Sequence, residues 1–284
     1  MTINDTSEWI NKLEFHFTTL WGNRRIPVQS KHPFIVGKDS WMELLHPAVR
    51  PAVASIHIRF HSPTNPKSSQ LLALNLFLLG QKCGDPFFQQ LFSDTSIQNA
   101  KVAFEWIDKS NTLRQGGNPS NHDVLLDCGK QKYLIEMKFT EHSDAPCSSS
   151  KRNQECSKRM SVLQCPLESV YGTLYHPILR DKTNPYDLAR LERQYSDCPF
   201  LHGEQFQIMR YILLCHARTT SAQTWTPVII FPHKNRFMEE EIEMTKSGLK
   251  RPERFKRVYL EDAINAMRRF NEVYAAWLTE RYII

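Results

Sequence analysis

The run His122-Asp123-Val124-Leu125-Leu126-Asp127-Cys128-Gly129-Lys130-Gln131-Lys132-Tyr133-Leu134-Ile135-Glu136-Met137-Lys138-Phe139 decides how the rest of the chain reads. Two strand-like stretches, His122 to Asp127 and Lys132 to Phe139, are separated by Cys128-Gly129-Lys130-Gln131. That spacing predicts a β-hairpin, because Gly129 can take the positive φ that a type II′ turn requires. With Gly129 and Lys130 as the turn, Cys128 pairs with Gln131 and Asp123 falls directly opposite Glu136. Side chains alternate faces along a strand, so Glu136, Lys138 and Asp123 share one face. On a regular strand His122 points to the other face, and no catalytic role follows for it.

Directly opposed residues of an antiparallel pair hold their Cβ atoms about 4.5–5.5 Å apart. Two carboxylates at that separation repel each other unless something positive intervenes. A divalent cation is the natural candidate, since Mg²⁺ is typically held by one or two carboxylates with waters and phosphate oxygens completing its shell. Lys138, diagonally across, adds a further positive charge. The spacing alone also fits a plainer arrangement, in which both acids lie on a solvated sheet face and Lys138 is an exposed ion-pair partner of little energetic worth. A one-residue slip of the turn would break the pairing altogether.

Working outward, Lys101 to Ile107 reads as a preceding strand and Thr226 to Phe231 as a later, fully buried one. Ser68-Ser69 supplies N-cap chemistry for a helix from Gln70 to Leu79 that is apolar nearly all round and so is expected to be buried, with Gly80 as its stop. Helices are also expected at the N-terminus (Trp9, Leu13, Phe17 and Leu20 in phase), over Asp187 to Tyr195, over Gln205 to Ala217, and from Leu260 to Tyr282 with Phe270 in its core stripe. Pro27 to Pro66 reads as irregular, apart from a short strand at Ser55 to Phe60. Ser143 to Leu163 reads as a polar loop able to close over a substrate. The order helix, strand, hairpin, helix, strand, helix predicts an α/β fold with a mixed central sheet flanked by helices.

The composition of the 284 residues is that of an ordinary soluble globular chain, with 41% apolar and 23% charged residues. The longest apolar run, Leu71 to Leu79, is far short of the roughly 20 residues of a membrane helix. No signal-peptide layout opens the chain, so a cytoplasmic location is expected. Net charge is +6, which is compatible with a polyanionic partner but weak support for one. Seven cysteines, an odd number, fit reduced thiols. Cys147, Cys156, Cys165 and Cys198, with His202, lack the close pairs of structural zinc sites, and free thiols are the expectation.

His122-Asp123, twelve residues, then Glu136-Met137-Lys138 resembles the signature of the PD-(D/E)XK nuclease superfamily: an acid near the start of one strand and acid-x-Lys on the next. His122 stands where the signature has proline, a position that is not a ligand. Further features fit the same superfamily and resemble a poorly characterised group of restriction endonucleases within it. Glu105 sits on the preceding strand, where such nucleases often carry an extra acid. Ser68-Ser69-Gln70 opens the core, Gln207-Ile208-Met209-Arg210 matches a Gln-x-x-Arg helix, and Val228 to Pro232 with Asn235 matches the final core strand.

The resemblance implies a restriction-endonuclease-like core over residues 67–245, with a helical and irregular extension at 1–66 and a packed C-terminal helix at 246–284. It implies a Mg²⁺- or Mn²⁺-dependent nuclease, with DNA the expected substrate and a restriction or defence role. Asp123, Glu136 and the Met137 carbonyl would hold the metal, while Lys138 would orient water and stabilise charge. Glu105 would support a second metal or a water, and Gln207 and Arg210, one helical turn apart, would reach the cleft or a phosphate. Lys151, Arg152, Lys158 and Arg159 are candidates for backbone phosphate contacts. A homodimer is the expected assembly for cutting both strands. Two other readings compete: a catalytically idle nucleic-acid-binding or assembly module that keeps the fold, and an unrelated α/β protein with an exposed charged hairpin.

Overall fold

The computed structural model describes residues 3–56, 63–115, 119–141, 168, 172–194 and 203–284. Helix α1 (Ile3–Arg24) leads into a two-stranded ribbon, β1 (Val28–Gln29) with β2 (His32–Val36), a 3-10 segment at Lys38–Leu44 and the short α2 (Arg50–Ser55). Then come α3 (Ser69–Cys83), α4 (Asp85–Phe92) and three strands, β3 (Lys101–Ile107), β4 (Asn121–Cys128) and β5 (Gln131–Met137). Helices α5 (Tyr175–Arg180), α6 (Leu188–Gln194) and α7 (Gly203–Arg218) precede β6 (Thr224–Phe231). The chain ends with α8 (Arg236–Ser247), β7 (Lys256–Tyr259), α9 (Leu260–Arg268) and α10 (Glu272–Tyr282).

The five main strands form one mixed sheet in the order β3-β4-β5-β6-β7, antiparallel up to β5 and parallel from β5 to β7. Each face carries its own apolar layer. Val124, Leu126, Ile135 and Ile230 pack with α1, α3, α4, α9 and α10. Leu125, Leu134, Ile229 and Phe231 pack with α5 to α8. A sheet covered on both sides by helices is the α/β architecture expected from the order of elements.

The hairpin has the predicted register, with Cys128 opposite Gln131 and Val124 opposite Ile135. Gly129 sits at φ 77° and Lys130 is not among the positive-φ residues, which is the type II′ pattern. Helix α3 is buried from Ser69 to Gly80, as its all-round apolarity requires, and the Ser68 side chain caps it by accepting from the Leu71 N–H. Gly80 permits the close approach of α4, since a Cβ there would lie 2.3 Å from Phe87 Cε1. Asn75, fully buried in α3, donates to Leu44 O at 3.1 Å and to the Tyr282 hydroxyl at 3.0 Å, which ties the C-terminal helix to the core helix.

Several expectations need correction. The single helix from Leu260 to Tyr282 is two helices, because the Asn271 side chain accepts from the Tyr274 N–H and starts α10. Phe270 falls in that break and is 41% exposed instead of sitting in a core stripe. The Pro27 to Pro66 segment is more ordered than its prolines suggest, because Pro51 occupies the first turn of α2, where its missing N–H costs nothing. Ser55 closes that helix, and most of the strand expected at Ser55 to Phe60 lies outside the described residues. Helices α4 and α8 and strand β7 were not anticipated. Among the described residues, no helix is long and apolar enough to cross a membrane.

Candidate active site

The site forms where the hairpin ladder stops. Val124–Ile135 is the last paired position between β4 and β5, and the register carries Asp123 opposite Glu136 beyond it. Between β3 and β4, the pairs Phe104–Val124 and Trp106–His122 flank an unpaired Glu105, which the same register sets opposite Asp123. Three acids therefore lie in a row across three strands. Glu105 has φ 48°, a left-handed conformation that a strand glutamate rarely adopts and that clusters at functional positions.

Each carboxylate is held by named partners. Asp123 Oδ2 accepts the Met137 N–H at 2.8 Å, so a side chain takes the place of a strand-to-strand bond. Glu136, 6% exposed, accepts from Gln207 Nε2 at 2.6 Å and has Lys138 Nζ at 3.2 Å. Lys138 Nζ also donates to Gln207 Oε1 at 2.7 Å, and Gln207 reaches the Tyr211 hydroxyl. Glu105 accepts from Gln70 Nε2 and from Asn121 Nδ2, each at 2.8 Å. The chain leaving the site is fixed in turn: Lys138 N–H donates to Ile230 O at 2.9 Å, and buried Asn235 donates to Phe139 O and Glu141 O, each at 3.2 Å.

These groups open onto a cleft of about 470 Å³ whose lining includes Glu105, Asp123, Glu136, Glu141, Gln70 and Gln207. Among the described residues, Lys67 is its one lining Lys or Arg, and that ammonium is paired with Glu14. The cleft is acidic. Burial, and then the charge of Glu136, push the Asp123 carboxyl well above the usual carboxylate range, against the Met137 N–H and Lys138. Burial and the same Glu136 charge push the Tyr211 hydroxyl up as well.

Asp123, Glu136, Lys138, Glu105 and Gln207 thus come together, and Met137 contributes its backbone beside Asp123. Arg210 lies one turn beyond Gln207 with its guanidinium over the rings of Phe206 and Tyr211, and it is not among the residues that line the cleft. His122 departs from the regular-strand expectation. Its ring lies 4.4 Å from that of Tyr211, on the helix that carries Gln207, because alternation fails where Glu105 takes its positive φ. It is buried with neither ring nitrogen hydrogen-bonded; burial, and then Arg210, hold it well below the usual histidine range. Lys151, Arg152, Lys158 and Arg159 lie outside the described residues, as do Cys147, Cys156, Cys165, Cys198, His202 and the whole Ser143 to Leu163 stretch.

Asn121 and Tyr211 were not singled out from sequence, and Gln70 was read only as part of the helix opening, with no role in the site. Tyr211 had a signal, because it follows Gln207 by four residues and so shares its face. Among the described residues, no three His, Cys, Asp or Glu side chains are grouped to hold a metal ion. Two carboxylates are nevertheless a sufficient protein contribution for Mg²⁺, whose shell is otherwise water and phosphate. The repulsion between Asp123 and Glu136 is the kind a cation relieves, so the donor set fits a hard divalent ion.

A mixed sheet flanked by helices, with an acid, an acid and a lysine gathered where two strands part, defines a restriction-endonuclease-like α/β protein. The family model described as restriction endonuclease associating with ARP (REase-ARP) matches residues 33–283, and the chain belongs to that family. No curated protein and no solved structure matches the chain.

Proposed function

We propose that the chain is a metal-dependent nuclease of the PD-(D/E)XK type that hydrolyses phosphodiester bonds, with DNA as its substrate, in a restriction or defence role. The observation that carries this reading is the bonded set Asp123, Glu136, Lys138 and Gln207 at the mouth of an acidic cleft. Membership of a family described as restriction endonucleases supports it.

Asp123, Glu136 and the Met137 carbonyl are the groups that would hold Mg²⁺ or Mn²⁺, and the bound ion would supply Lewis-acid polarisation of the phosphate and a more acidic water. Gln207 and Glu136 fix the Lys138 ammonium so that its charge meets the phosphate oxygens as negative charge builds there. Glu105, braced by Gln70 and Asn121, accepts a hydrogen bond from a water in the cleft and orients it. Tyr211 fixes Gln207 from the far side.

The test is cleavage of supercoiled, linear and single-stranded DNA and of RNA by purified protein in Mg²⁺, Mn²⁺ or EDTA. Cutting of DNA that needs the metal and disappears in Lys138→Ala is the expected result. No cutting of any substrate, with nucleic-acid binding retained, would instead identify an idle binding module that keeps the fold.

A further inference from the structure

A second cavity, of about 450 Å³, opens at the other end of α7, between that helix, the start of β6, and the segments 182–185 and 249–255. His216, which lines it, is nine residues beyond Gln207 on the same helix, or about 14 Å at the rise of an α-helix. The two facing segments are joined by the Lys250 N–H to Pro185 O bond at 2.9 Å and the Tyr186–Leu249 bridge, so this cavity is part of the framework.

Its chemistry is the reverse of the catalytic cleft. Lys182, Lys250, Arg251 and Arg254 line it, and among the described residues no carboxylate does. The side chains of Lys182, Arg251 and Arg254 make no ion pair among the described residues. Lys250 Nζ donates to the Lys182 carbonyl at 3.3 Å. Of the acids adjacent in sequence, Asp181 accepts from the Thr183 N–H and hydroxyl while its charge still reaches His216 and Lys250, and Glu253 lines a different cavity. Beneath these cations the walls are apolar and partly flat, with Trp225, Phe255, Ile212, Leu249 and Pro227. Asn184, Thr219 and His216 add a few polar groups. An apolar pocket of this size with few polar groups suits a small organic ligand, and the excess of four lining cations over the one nearby carboxylate, Asp181, selects an anionic one.

We propose that this cavity is a binding site for a nucleoside phosphate, with the base against the apolar walls and the phosphate among Arg251, Arg254, Lys182 and Lys250. The site is separate from the catalytic cleft, and the ligand is either a free nucleotide or the phosphorylated end of a strand.

The test is calorimetric titration of the full-length protein, in EDTA so that no metal-dependent cutting intervenes. The titrants are deoxynucleoside mono- and triphosphates, thymidine and inorganic phosphate. Saturable binding of nucleoside phosphates is expected, with thymidine and inorganic phosphate at least tenfold weaker. The exposed pair Arg251→Ala/Arg254→Ala should weaken binding at least tenfold, and Arg251→Lys/Arg254→Lys should keep most of it. Glu136→Gln should bind as wild type does, so failure of the nuclease reading leaves this result intact. Competition by a 5′-phosphorylated oligonucleotide against bound dTMP would support a strand end as the occupant, and no competition would support free nucleotide. Absence of saturable binding at millimolar nucleotide, undiminished binding in the double alanine variant, or equally tight binding of inorganic phosphate would overturn the proposal.

Discussion

The β4–β5 hairpin carries an aspartate towards each end of β4, and its two ends treat them in opposite ways. At the turn, Asp127 lies opposite Lys132 and the two form an ion pair at 2.5 Å. Burial works against the Asp127 charge, but hydrogen bonds from Lys132 and the Gly129 N–H outweigh it and hold the carboxyl below its usual range. At the open end Asp123 faces Glu136, the ladder stops, and burial with the neighbouring charge drives the carboxyl well above that range. Register and backbone are shared, so the difference lies in the partner across the strand. One end is complete within the chain, whereas the other holds like charges together, and our proposal is that a cation from outside completes it. Arranging like charges directly opposite is destabilising in a sheet, which marks the open end as a place where stability yields to chemistry.

The sharpest break between the two ends is catalytic. Lys138→Ala and Asp123→Asn are each expected to slow metal-dependent DNA cleavage by on the order of 10²–10³, the cost of losing one preorganised charge-stabilising group. Asp127→Asn should cleave at close to the wild-type rate. Initial rates on one plasmid substrate, with the three variants side by side, check this.

Stability should move in the opposite sense. The raised Asp123 carboxyl favours the folded state below the ordinary aspartate range, and that contribution is lost as pH rises through the folded-state value. The lowered Asp127 carboxyl contributes stability above the ordinary range, which is lost as pH falls through its own folded-state value. In EDTA at pH 8, Asp123→Asn is therefore expected to be more stable than wild type, and Asp127→Asn less stable. Chemical denaturation at pH 5 and pH 8 follows the Asp123 slope, and denaturation at pH 3 and pH 5 follows that of Asp127.

How far the sequence reveals these features depends on how local their causes are. The hairpin register was legible because Gly129 marks the turn and the apolar strand interiors resist a one-residue slip. The facing of Asp123 and Glu136 followed from that register, whereas Gln207 was singled out only by the resemblance of Gln207-Ile208-Met209-Arg210 to a Gln-x-x-Arg helix. The conformation of Glu105 did not follow, since Lys101 to Ile107 has every local mark of a plain strand, and its positive φ falls at the one skipped position between the Phe104–Val124 and Trp106–His122 pairs. The misplacement of His122 has the same origin. Strand β7 was hidden because Lys256-Arg257-Val258-Tyr259 looks like a basic segment until its parallel partner on β6, nearly thirty residues earlier, is known. The break before α10 was signalled locally, by Asn271, but the apolar stripe of Leu260 to Tyr282 runs through it and dominated the reading.

The smallest expected effect belongs to the complete end. Lys132→Ala should cost about 1 kcal/mol, since it removes an ion pair whose Asp127 side is partly exposed together with the packing of a buried lysine stem, and should leave cleavage unchanged. Thermal melting of the variant against wild type is enough to see it.

The most direct test of the central claim is a titration of Mn²⁺ into wild type, Asp123→Asn and Asp127→Asn, followed by the loss of the free ion's paramagnetic resonance signal. Wild type and Asp127→Asn are expected to bind alike, and Asp123→Asn to lose the site. Equal binding by all three, or by none, would contradict the assignment of the open end of the hairpin as a cation site.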